Sequence, residues 1–120
     1  MEKKVLLNEV FCHHIYEYEK GLRSLILYTG NYSEQEGIEN RLKKRAISYH
    51  IQKISKTKIN VFFGNSDSVE IVKEIGKSNL SEYSPEEDFI LGIMLGYDRG
   101  LQCKRFLEYR KRFESKKIAI

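Results

Sequence analysis

Apolar residues recur at helical spacing along most of the chain and at strand spacing in four short stretches, and these two periods define its elements. Lys3 to Leu7 read as a short strand. Asn8 is then placed to cap a helix on which Phe11, Ile15, Tyr18 and Leu22 share a face, with Gly21 as its stop. The same residues also alternate as a strand that turns over Glu19 to Gly21, so a hairpin into Ser24 to Thr29 stands as the alternative. Leu25 to Tyr28 read as a strand in both cases. Gly30 and Asn31 mark a turn, Ser33 with Glu36 fits a capping box, and Ile38 and Leu42 continue a helix to about Arg45, with Arg41, Lys43 and Lys44 on its basic side. Tyr49 to Ile54 and Ile59 to Phe63, joined by a turn over Ser55 to Lys58, read as a β-hairpin. Phe62 and Phe63 point to opposite faces, so at least one is core and the other is open to a partner or a second subunit. Ser66 or Asp67 caps a further helix lined by Val69, Val72 and Ile75, which stops at Gly76.

The last helix has the sharpest start. Ser84 caps it, Pro85 suits the first helical position, Glu87 completes a capping box, and Glu86, Glu87 and Asp88 suit the positive end of the dipole. Phe89, Gly92, Ile93, Gly96, Gly100, Cys103 and Leu107 fall on one face, so three glycines lie in an apolar stripe where another backbone could approach. Phe89 to Tyr97 is apolar all round and should be buried. A helix from Pro85 to Phe113 would run about 43 Å at about 1.5 Å per residue. A chain of this size has a radius of gyration of about 14 Å, hence a diameter near 35 Å. Two outcomes follow: the helix breaks over Asp98 to Gly100, or its basic end projects from the body.

Strand, helix, strand, strand, helix is most of a ferredoxin-like split βαβ pattern without its final strand. The expected class is α+β, a two-layer sandwich in which a small, mainly antiparallel sheet has helices packed on one face and a long C-terminal helix. The amino-terminal segment is a candidate for a fourth, edge strand. With 120 residues, 41% hydrophobic and 32% charged, residues 1–120 fit a single domain. The longest nearly unbroken apolar run, Phe89 to Tyr97, is nine residues, far short of a membrane span, and there is no secretory apolar region, so no membrane association and a cytoplasmic location are expected.

Charge changes the picture at one end. Lys104, Arg105, Arg110, Lys111, Arg112, Lys116 and Lys117 against Glu108 and Glu114 give +5 from Lys104 onward, which leaves −1 of the total of +4 for everything before it. A basic helix end complements its own dipole. It also makes a docking strip for an acidic partner, because clustered charge speeds encounter and fixes orientation, and Lys104, Arg105, Arg110, Lys111 and Arg112 are the candidate contacts. Nucleic acid is not the expected partner, since Ile59 to Gly64 lacks the basic and glycine pattern of an RNA-recognition motif.

Catalytic candidates are few. No glycine-rich phosphate loop is present and no cofactor is expected. Cys12 and Cys103 show neither a CxxC pattern nor the density of a disulfide scaffold, and read as buried free thiols. His13 and His14 are adjacent and diverge by 100° on a helix, which makes joint ligation of one ion awkward, whereas His13 and Glu17 share a face. Cys12 or Cys103 brought beside that pair by folding would make a metal site. Alternatively His13 or His14 acts as a general base oriented by Glu17 or Asp98, although no nucleophile or oxyanion motif accompanies them. Asp98 with Arg99 reads as a structural ion pair.

Three segments together, HHIYEYEKGLRSLILYT from His13 to Thr29, INVFFG from Ile59 to Gly64 and EEDFILGIMLGYDRGLQC from Glu86 to Cys103, resemble a bacterial family catalogued as a domain of unknown function, number twenty twenty-three. The resemblance implies a small two-layer α/β protein with no established activity, and relatives encoded beside flavodoxins. Flavodoxins are typically acidic, which suits the basic end of this chain. The leading expectation is a non-enzymatic interaction or regulatory module, with an acidic protein such as a flavodoxin as partner and self-association as a further option. A metal- or His-dependent enzyme and a small-ligand sensor are the alternatives.

Overall fold

The computed structural model describes residues 7–118, with side chains described as far as Ser115. The order is α1 (Glu9–Glu19), β1 (Leu25–Asn31), α2 (Gln35–Lys44), β2 (Ser48–Lys53), β3 (Lys58–Gly64), α3 (Ser66–Ile75), α4 (Pro85–Met94) and α5 (Arg99–Ile118), with 3₁₀ turns at Tyr32–Glu34 and Leu80–Glu82. The α+β class and the small antiparallel sheet are as the sequence predicts. In the order β1-β3-β2, β3 is antiparallel to both neighbours, so β1 and β2 run parallel with β3 inserted between them. That is the split βαβ unit. The expected amino-terminal edge strand from Lys3 falls on residues that, Leu7 apart, lie outside those described.

The first segment is the helix and not the hairpin. Asn8 accepts a hydrogen bond from the Val10 amide at 2.7 Å, and Phe11 and Ile15 are buried against the sheet. Helix α2 starts differently from its expected Ser33–Glu36 cap. Asn31 and Glu34 form the capping box instead, two residues earlier, around the 3₁₀ turn.

Helices cover both faces of the sheet, which corrects the expectation of one covered face. Ile59, Val61 and Phe63 of β3 pack with Ile26, Tyr28 and the buried residues of α1 and α2. Phe62, from the opposite face of the same strand, packs with Leu25, Val69, Val72, Tyr83, Leu91 and Leu95 beneath α3 and α4. Both phenylalanines are fully buried within one chain, so neither is left for a second subunit.

The long last helix breaks. Leu95 ends α4 and Gly96 takes φ +83°, with the Gly96 amide donating to the Ile93 carbonyl (3.0 Å) and the Tyr97 amide to the Gly92 carbonyl (3.2 Å). This is a Schellman stop. Asp98 then restarts the chain as a helix by accepting from the Leu101 amide at 2.9 Å. The break therefore pivots at Gly96, and Gly100 sits exposed in the first turn of α5. Asp98 serves as a cap, in place of the expected ion pair with Arg99.

The same stop ends α2 with a less suitable residue. Ala46 has φ +55°, its amide donates to Lys43 and the Ile47 amide to Leu42. Left-handed backbone costs a residue with a Cβ about 1–2 kcal/mol. Ala46→Gly is therefore expected to stabilise the fold by about 0.5–1 kcal/mol and Gly96→Ala to destabilise it by about 1 kcal/mol. Nothing lies within 4 Å of a Cβ built at Gly96, so its cost is that of the backbone alone. Paired denaturant titrations of the two variants check the opposite signs.

Candidate functional site

Helices α4 and α5 form an antiparallel hairpin. Arg105 donates from Nε and Nη2 to the two carboxylate oxygens of Asp88 (2.8 and 3.0 Å), the Phe89 and Phe106 rings meet edge to face at 5.4 Å, and the Tyr109 hydroxyl donates to the Tyr83 carbonyl. At Gly92 the close approach comes from a side chain and not from a backbone, since a Cβ there would lie 2.1 Å from Oε1 of Gln102. Gln102, Arg105, Phe106 and Tyr109 thus define the inward side of α5.

The outward side is unlike that of the other helices. No described side chain of α5 is buried, and Leu101 and Leu107 are 66% and 60% exposed. At 100° per residue Lys104, Leu107 and Lys111 lie along one outward ridge, with Arg110 and Arg112 on its flanks. Arg110 is paired with Glu114 one turn on (3.1 Å), and Arg112 lies over the Tyr109 ring at 6.0 Å. Lys104 and Lys111 make no ion pair among the described residues. Of the five basic residues singled out in the sequence, Arg105 is committed to Asp88, Arg110 is paired with Glu114 within α5, and Lys104, Lys111 and Arg112 present their charge to solvent. Asp88 lies 17 residues away from Arg105, and only the break at Gly96 brings them together.

The histidines form a separate cluster on α1. Glu17 Oε1 lies 3.5 Å from His13 Nε2 and 3.4 Å from His14 Nδ1, so one carboxylate serves both rings despite their divergence. His13 is exposed. The His14 ring stands 6.4 Å from that of Tyr28, and its Nδ1 is buried without hydrogen-bond geometry to a partner. Cys12 is half-buried on the same helix, while Cys103 is exposed on α5, so the expectation of two buried thiols holds for neither. Among the described residues no three His, Cys, Asp or Glu side chains gather as metal ligands would. The structure does not bring Cys103 or Asp98 into this cluster. A third histidine, His50, which the sequence did not single out, lies on β2 under α3, where burial and then Lys73 hold its pKa below the usual value.

Tyr28 adds a titration beneath α1. Its hydroxyl donates to Glu34 Oε1 at 2.9 Å, while Glu34 Oε2 accepts from the Asn31 amide at 2.6 Å. Burial first, and then the hydrogen bond and charge of Glu34, push the phenol up to about 12. The neutral form is favoured in the folded state, so its contribution is fully present below the unfolded value near 10 and is lost as pH rises from about 10 to about 12. Tyr28→Phe is expected to flatten the alkaline loss of stability, measured as denaturation midpoint against pH. Tyr49 and Tyr83, also raised chiefly by burial, leave a residual slope.

No helix among the described residues is long and apolar enough to cross a membrane. None of the curated proteins matches this sequence. The family model for a protein of unknown function (DUF2023) matches residues 9–109, from the start of α1 to the tyrosine that ties α5 to Tyr83, and the chain belongs to that family.

Proposed function

We propose that the chain is a non-enzymatic docking module and that α5 is the element which receives an acidic protein. One observation carries this reading: a 20-residue helix without a buried described side chain, whose outward ridge sets Leu107 between Lys104 and Lys111. Leu107, 60% exposed, gives the cationic ridge an apolar point of contact. A contact surface uses such a residue as its apolar part and the surrounding cations for steering and register. A flavodoxin, implied by the family resemblance and typically acidic, suits this charge.

The test is a titration with flavodoxin at two ionic strengths. The Debye length shortens from about 30 Å at 0.01 M to about 8 Å at 0.15 M, so binding steered by exposed charge should weaken severalfold or more across that range. Absence of binding at low salt, or binding indifferent to salt, would remove this reading.

A further inference from the structure

The α4–α5 hairpin also bounds a groove whose lining differs from the ridge. On one side of the hairpin the chain passes through the 3₁₀ turn Leu80–Glu82 to Tyr83, and two hollows open between this segment and α5. The inner hollow, of about 380 Å³, has Leu27, Leu80, Leu91 and Leu95 among its walls, with Tyr97 and Gln102 at its sides. The outer hollow, of about 640 Å³, is lined by Tyr109, Arg112 and Phe113 across from Ser81 and Glu82. Ser81, Tyr83 and Arg105 line both, so the two lie side by side along α5.

Polarity divides along the groove. The inner end is leucine-walled, and its charges, Arg105 and Asp88, already neutralise each other in a two-pronged pair. A charged group gains nothing by entering there. An apolar group does, since Leu80 and Tyr97 at its rim stand 40% and 52% exposed. The outer end opens beside Arg112, on the flank of α5. Glu82 is the opposing charge on the outer lining.

Resting on the docking reading of α5, we infer that the partner inserts one large apolar side chain, carried on an acidic segment, into the leucine-walled end of this groove. The carboxylates flanking that side chain then meet Arg112 on the flank of α5, while Lys104 and Lys111 on the outward ridge attract the segment at longer range. A buried anchor ringed by weaker polar contacts is the usual distribution of energy at such interfaces. The ridge supplies encounter and orientation, and the groove supplies residence time.

The test uses two fluorescent peptides rich in Asp and Glu, identical except for a central Phe or Ala, measured by anisotropy at low salt. The Phe peptide is expected to bind about tenfold tighter or more, the effect of burying one aromatic side chain. Ser81→Trp, at an exposed position on the lip, should abolish this difference while leaving the weak salt-sensitive binding common to both peptides. Leu80→Gln, at the inner rim, should reduce it, so the outcome does not depend on one variant folding. Equal affinities for the two peptides would overturn the groove inference and leave the ridge reading standing. Absence of salt-sensitive binding by either peptide would overturn both.

Discussion

Phe62→Ala is expected to destabilise the protein by about 3–5 kcal/mol, the range for removing a fully buried aromatic side chain. Phe62 occupies the middle of the central strand and is in contact with the face that gathers α3, α4 and Tyr83. Its neighbours Leu25, Val72, Leu91 and Leu95 come from three different elements, so no single one can collapse into the space left behind. Against a typical total of about 5–15 kcal/mol, such a loss removes a large share of stability. Leu107→Ala on the open ridge of α5 should change stability by less than about 0.5 kcal/mol. Denaturant titrations of the two variants decide the matter. A loss below about 1 kcal/mol at Phe62 would contradict a second packed face.

The second large effect is on binding. Arg110→Glu, Lys111→Glu and Arg112→Glu together are expected to weaken binding of an acidic partner about a hundredfold at low salt, because steered association exceeds unsteered association by that order or more. These residues are exposed, and the ion pairs available to them, such as Arg110 with Glu114, contribute little to the fold. Unfolding should therefore change far less than affinity. The same three reversals on a partner held only by apolar contact would leave affinity unchanged, so the experiment separates charge from groove.

Much of the fold was legible because its signals are local. Ser84, Pro85 and Glu87 announce the start of α4, and the capping box forms as expected, with the Glu87 amide donating to Ser84 Oγ and the Ser84 amide to Glu87 Oε1. The β2–β3 hairpin and the split βαβ order followed from alternation and turn residues. The three-layer arrangement did not. Its signal lay in Ile59 to Phe63, which is apolar at four of five positions instead of alternating, the pattern of a strand covered on both faces.

The break in the last helix shows the other limit. Glycines at 92, 96 and 100 look equivalent in an apolar stripe, yet they serve as a gap for Gln102, a left-handed stop and an exposed first-turn position. Gly96 two residues before a capping Asp98 was the local sign of stop and restart. Arg105 was grouped with the docking residues because its pairing with Asp88 exists only after the chain reverses. The exposed ridge of Lys104, Leu107 and Lys111 was half legible: charge marked it, but the exposure of Leu107 needed the hairpin.

The location of the contact is tested most directly by amide hydrogen exchange of the full chain with and without saturating flavodoxin at low ionic strength. The account predicts that added protection concentrates on α5 from Leu101 to Phe113 and on the Leu80–Tyr83 segment beside it. Protection centred instead on α2, where Arg41, Lys43 and Lys44 offer the other basic surface, with α5 unchanged, would contradict it.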